Sequence, residues 1–156
     1  IDSLTVGTTA DPRFSRATIV STGDDQVLGQ IEAQLMKLED VLDIKRLDSG
    51  SSVCRELLLL KIAANKNDRQ EVISIANIFR ANIIDVARES LVIELTGNQS
   101  KLEAFINMLD GYEILELART GLTGLSRGTF DVKVPDKTFD ETGKLVYYDD
   151  YEPDFD

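Results

Sequence analysis

The sequence predicts an α+β protein of two tandem ferredoxin-like βαββαβ units, the first lacking its initial strand and helix. Three observations predict it. The string Ile93-Glu94-Leu95-Thr96-Gly97-Asn98-Gln99 repeats the pattern of Ile19-Val20-Ser21-Thr22-Gly23-Asp24-Asp25, 74 positions earlier, and such spacing marks a duplicated unit. In each copy an alternating strand stops at Thr-Gly, two polar residues follow, an amphipathic helix runs next and a final strand closes the unit. The second copy carries a further strand and helix in front, from Arg55 to Arg80, whereas the first begins at Ile1 already inside a strand. The full order, strand, helix, strand, strand, helix, strand, is the split βαβ arrangement with helices on one face of an antiparallel sheet.

Taken in order, Ile1 to Thr8 alternates apolar and polar residues as a strand does. Asp11-Pro12 then signals a turn before a second strand at Arg16 to Ser21. From Asp24 to Leu38, Val27, Leu28, Ile31, Leu35 and Leu38 fall at helical spacing, with Asp24 and Asp25 in the first turn where the helix dipole favours negative charge. Val41 to Leu47 reads as a strand, and Asp48 to Ser52 as a short linker. The second unit opens with Arg55 to Ala63, whose four consecutive leucines predict a central strand buried on both faces. Asp68 and Glu71 stand at capping-box spacing before a helix carrying Val72, Ile75, Ala76 and Phe79. Strands at Asn82 to Val86 and Ser90 to Thr96 follow. Ser100 and Glu103 form another capping-box pair ahead of Leu102, Phe105, Ile106 and Leu109, and Gly111 ends that helix in the left-handed conformation before a last strand, Glu113 to Arg119.

Composition bounds the function. The chain has 156 residues, 42% of them hydrophobic and 29% charged, so it is globular, yet each half alone has a thin core and is expected to lean on a partner. The formal charge is -11, shared between the body at residues 1–128 and an acidic tail at residues 129–156. A body of that sign without a Lys or Arg run argues against nucleic acid, whose binding is driven by phosphate neutralisation. A membrane role is likewise not expected, since the longest leucine run, Leu57 to Leu60, is far short of a span. The lone Cys54 allows no internal disulfide.

The chain contains no histidine, which removes the commonest general base and metal ligand. Cys54 without such a partner reads as a strand residue, and zinc in its usual tetrahedral form lacks ligands. Asp149, Asp150, Glu152, Asp154 and Asp156 lack the spacing of a calcium loop and read as a solvated tail. No catalytic residue and no metal ligand is therefore assigned, and the residues alone point to a dimerising binding module whose exposed sheet surface takes a second copy. Two segments invite more. Arg119 to Gly128, with three glycines and two arginines, suits an ordered turn that contacts a partner through Arg119 and Arg127, or simply connects to the tail. Asp11-Pro12-Arg13-Phe14-Ser15-Arg16 is a candidate functional loop, Arg16 being the better fit to a salt bridge.

At these segments the chain resembles the small, regulatory subunit of acetolactate synthase, also called acetohydroxyacid synthase. The matching strings include Ile1-Asp2-Ser3-Leu4-Thr5-Val6, Asp11-Pro12, Ser15-Arg16-Ala17-Thr18-Ile19 and Gln30-Ile31-Glu32-Ala33-Gln34-Leu35-Met36-Lys37-Leu38. Arg55-Glu56-Leu57, Ile78-Phe79-Arg80-Ala81, Ile84-Asp85-Val86, Thr96-Gly97, Lys101-Leu102-Glu103-Ala104-Phe105 and Ala118-Arg119-Thr120-Gly121 continue them in the family's order.

The resemblance implies an ACT domain at residues 1–48, amino-terminally incomplete, a carboxy-terminal ACT-like domain at residues 53–128, and the tail beyond. It implies a non-catalytic subunit that binds the acetolactate synthase catalytic subunit, raises its activity, and mediates feedback inhibition by valine or another branched-chain amino acid, with a homodimer as the working unit. Thiamine diphosphate, magnesium and FAD are expected on the catalytic partner and no cofactor on this chain. The compartment implied is the cytoplasm, or the plastid or mitochondrial matrix in a eukaryote. In the family a strand and a helix precede the position of Ile1, and the loop joining them forms much of the effector pocket. Such a segment is expected in the natural protein, and Ile1 is the one pocket-flanking residue carried over. The tail departs from the family pattern, with Thr142 to Tyr148 reading as one strand of a hairpin and the flanking acids favouring disorder until bound. Rival readings are a stand-alone ACT-type amino-acid sensor and, more distantly, an enzyme using the carboxylates.

Overall fold

The four leucines Leu57 to Leu60 alternate, in the computed structural model, between two faces of strand β3 (Ser52–Ala63). Leu58, Leu60 and Ile62 are fully buried, while Leu59 between them is 38% exposed. Burial on both faces is thus corrected to burial on one, because helices cover a single side of the sheet. The structure describes residues 1–128 and two short strands further on.

β3 is nevertheless central, as expected. The strand order is β4-β5-β3-β6, with β4 (Asn82–Val86), β5 (Ser90–Gly97) and β6 (Ile114–Arg119) all joined in antiparallel pairs. This is the ferredoxin-like order, in which the last strand of the unit lies beside the first. Register places Leu58 opposite Leu95 and Arg119, Leu60 opposite Ile93 and Leu117, and Ile62 opposite Leu91 and Ile114. On that face lie α2 (Arg69–Ile78), burying Val72, Ile75 and Ala76, and α3 (Gln99–Met108), burying Leu102 and Phe105. Phe79 meets Phe105 edge to face at 5.3 Å between ring centres. Burying each such side chain contributes about 1.5–3 kcal/mol, enough for this unit to hold its own core. A fifth strand, β7 (Thr123–Ser126), also pairs with β3. It lies in a segment whose sequence suggested an ordered turn.

The helix starts explain the repeat. Asn98 caps α3 by accepting the Lys101 N–H at 2.9 Å, and its counterpart Asp24 caps α1 (Asp25–Met36) by accepting the Val27 N–H at 2.9 Å. At Gly23 the space is tight, since a Cβ there would lie 2.7 Å from Cγ1 and 2.9 Å from Cβ of the branched Val27, whereas at Gly97 it would meet Cδ of the flexible Lys101 at 2.6 Å. The expected box of Ser100 with Glu103 is corrected, since Ser100 lies inside the helix and Asn98 does the capping. The expected box at Asp68 is corrected too. Asp68 makes no side-chain cap hydrogen bond, and the Asn65 side chain instead accepts the N–H groups of Asn67 and Asp68 at 2.9 and 3.0 Å. Losing a side-chain cap costs about 1 kcal/mol. Asn98→Ala should therefore lower the urea midpoint of the whole sheet unit, because α3 is anchored in its core through Leu102 and Phe105. Gly111 does adopt the left-handed conformation, at φ 93° in the turn after α3.

The hairpin of β1 (Ser3–Thr8) and β2 (Ser15–Val20) runs antiparallel from Ser3 opposite Val20 to Thr8 opposite Ser15. Residues Ile1–Ser21 and Ser52–Leu125 form one compact unit, and Thr22–Ser51 belong to another. In the second unit α1 buries none of its residues, and Arg46 ties the segment that follows it to Glu32 at 2.7 Å and to Asp25 at 3.3 Å. Residues 41–47, expected as a strand, form none. Strands β8 (Lys137–Phe139) and β9 (Leu145–Tyr147) pair as a hairpin, with β9 inside the expected strand at 142–148. The disorder expected of the rest of the tail concerns positions outside the described residues.

Candidate functional site

Between β6 and β7 the chain turns at Thr120-Gly121-Leu122, and this corner gathers the polar face of the β1–β2 hairpin. Alternation puts Ser3, Thr5 and Gly7 on one side of β1, with Arg16 opposite Gly7 on β2. The Thr5 hydroxyl donates to the Thr120 carbonyl at 3.1 Å, the Leu122 N–H donates to Ser3 Oγ at 3.3 Å, and Arg16 Nη2 donates to the Gly124 carbonyl at 3.0 Å. Gly121 sits at φ 87°, where an added Cβ would lie 2.9 Å from Thr5 Oγ1 and 3.0 Å from Ser3 Oγ. Only glycine accepts both that backbone conformation and that approach.

The same corner is stitched to β3. The Thr120 N–H donates to the Leu57 carbonyl at 3.1 Å, and the Leu57 N–H donates to Thr120 Oγ1 at 3.1 Å. One residue earlier, Arg119 holds Glu56 through two parallel hydrogen bonds, at 2.8 and 3.0 Å. The Glu56 side chain is only 4% exposed and that of Arg119 29%. The bond to Glu56 raises the Arg119 guanidinium above its ordinary pKa, against the opposing effect of burial.

Of the residues singled out in the sequence, Arg119 is thus engaged within the chain. Arg127 is exposed and its backbone N–H donates to the Ser51 carbonyl at 2.8 Å. Ile1 is 80% exposed, one residue before Asp2, whose N–H donates to the Val20 carbonyl at 2.7 Å. In the Asp11–Arg16 loop, Arg13 grips Asp11 (2.6 Å) and lies over the Phe14 ring, and Arg16 reaches the corner. Sequence reasoning missed Glu56, Thr120 and Gly121 as a set. A signal for Glu56 existed: it occupies the same phase as Leu58, Leu60 and Ile62, an acid at an inward position of the strand.

The hairpin's other side carries Leu4 and Val6, opposite Ile19 and Ala17, with Leu4 55% and Val6 62% exposed. The open face of the main sheet carries Leu57, Leu59 and Lys61, and Lys61 pairs with Glu116 at 2.9 Å, holding that carboxyl below the usual range. Among the described residues no three His, Cys, Asp or Glu side chains are grouped to hold a metal ion. Among the same residues no helix is long and apolar enough to cross a membrane.

Element order, sheet order and the duplicated cap together define a ferredoxin-like α+β architecture built from two related repeats. The family model for the small subunit of acetolactate synthase matches residues 55–128. A probable acetolactate synthase small subunit of Methanothermobacter thermautotrophicus is 44% identical over 130 residues, covering 83% of this chain and 77% of that protein. The acetolactate synthase isozyme 3 small subunit of Salmonella typhimurium is 49% identical over 129 residues, 82% of this chain and 79% of its own length. The crystal structure of the small subunit from Thermotoga maritima superposes with a TM-score of 0.77 at 41% identity, covering 83% of this chain and 81% of that one. The chain belongs to the family of acetolactate synthase small subunits.

Proposed function

We propose that this chain is a non-catalytic regulatory subunit of acetolactate synthase, acting in branched-chain amino acid biosynthesis. It binds the catalytic subunit, raises its activity and carries feedback inhibition by valine or another branched-chain amino acid. The observation that carries this reading is identity of 44% and 49% to named small subunits over 130 and 129 residues, more than four fifths of the chain. In this reading residues 1–48 belong to the effector-binding ACT domain with Ile1 at the pocket's edge, residues 53–128 are the ACT-like domain, and thiamine diphosphate, magnesium and FAD reside on the catalytic partner in the cytoplasm.

A homodimer is part of the proposal. It is supported by the open face of the β4-β5-β3-β6 sheet, which carries Leu57 and Leu59, the latter 38% exposed. Symmetric pairing is the usual way to cover such a face. Effector control then requires that valine bind two arrangements of the assembly with different affinity, by about 1–3 kcal/mol in typical systems.

The test is reconstitution. Adding the protein to its purified catalytic subunit should raise acetolactate formation, and valine should reverse the rise. Valine binding by calorimetry without any effect on the catalytic subunit would point to a stand-alone sensor instead, and no response to either addition would overturn the regulatory reading.

A further inference from the structure

By sequence the β1–β2 hairpin belongs to the first repeat; by packing it belongs to the second. The 74-residue offset aligns β2 with β5 and α1 with α3, yet Ile1–Ser21 clusters with Ser52–Leu125 while α1 falls in the other compact unit. The hairpin, a sheet of its own, therefore packs in one compact unit with the sheet of the second repeat, and the joint is the Thr120–Gly124 corner. Three side chains of the hairpin, Ser3, Thr5 and Arg16, bond to backbone groups there, so the contact reads position and not side-chain identity. Gly121 leaves the backbone bare beneath Ser3 and Thr5.

We propose that this corner is the coupling seat of the chain, through which displacement of the first repeat's hairpin alters the pairing of β3 with β6. Thr120 is the pivot. Its carbonyl receives the hairpin through Thr5, its N–H and hydroxyl both engage Leu57, and the adjoining Arg119 grips the buried Glu56 of the same strand. A shift of the hairpin loads the carbonyl, turns the 120–121 peptide and, through the Thr120 Cα, bears on the N–H and hydroxyl contacts to β3, a contiguous chain of bonds between two repeats. The contact stands on geometry alone. Its meaning for effector control rests on the regulatory reading above.

Hydrogen exchange read by mass spectrometry on the full chain tests the seat. Thr5→Val keeps the shape and removes the hydroxyl, and should speed exchange about fivefold, the worth of one hydrogen bond, in peptides covering 114–124 and 56–58 as well as in the hairpin. Gly121→Ala should speed the same peptides further, with peptides from α2 unchanged in both. Acceleration confined to the hairpin in both variants would overturn the seat. With the catalytic subunit present, Thr5→Val should leave activation intact and shift the valine concentration for half-inhibition several-fold. A wild-type dose response reproduced by Thr5→Val would overturn the coupling. A wild type that neither activates nor responds would instead remove the regulatory reading while the exchange result still judges the seat.

Discussion

Arg119→Ala is expected to lower the unfolding free energy of the sheet unit by about 3–5 kcal/mol, the cost of leaving a buried charge without its partner. The carboxylate it abandons, Glu56, has a side chain only 4% exposed and receives both guanidinium bonds. Arg119→Lys should recover part of the loss, because an ammonium gives no parallel pair of bonds to a carboxylate. Changing both residues to leucine should restore most of it, since an apolar pair of matching volume often equals or exceeds a buried ion pair. Urea denaturation followed by circular dichroism measures all three. A loss below about 1 kcal/mol for Arg119→Ala would mean that water reaches Glu56 and that the pair behaves as a surface bridge.

The second large effect is expected at Phe105→Ala. Phe105 is the largest fully buried side chain, it projects from α3 into the core, and its ring edge meets Phe79 just beyond the end of α2. Truncation leaves a cavity that helices fixed at both ends by the sheet cannot close, at a cost of about 3–5 kcal/mol. Leu59→Ala, on the open face, should cost under about 1 kcal/mol in the isolated chain, because that side chain is already partly in water. Equal losses at the two positions would show that the open face is covered in solution.

Much of this fold was legible because its signals are local. The repeat, the helices and the strands at β1, β2, β4, β5 and β6 follow from periodicity and from Thr-Gly stops, and the structure places them within a few residues of the reading. The failures share a cause. Capping by Ser100 was read from a spacing of three, but the cap belongs to whichever residue leaves the strand in extended conformation, and that is Asn98 at ψ 172°. Residues 41–47 carry Val41, Leu42, Ile44 and Leu47 without strict alternation, and a strand exists only where a neighbour offers hydrogen bonds. Arg119 was offered as a partner contact because Glu56, which it holds, lies 63 positions earlier in the chain, beyond the reach of any local pattern. Glu56 itself was visible as an acid in an inward phase, a conflict that usually means a buried partner. Ile1 rests on the resemblance alone.

The central position of β3 has a consequence for synthesis. Its leucines leave the ribosome before its neighbours: β5 follows only after α2 and β4, and β6 (Ile114–Arg119) and β7 (Thr123–Ser126) are the last of the strands that pair with it. Until then one edge of the most apolar strand in the molecule has unpaired backbone groups, and Glu56 waits without its arginine. Nascent chains halted before β6 emerges should be sticky, prone to edge-to-edge joining and dependent on chaperones. The late strands β6 and β7 therefore both complete the sheet and end that hazardous interval.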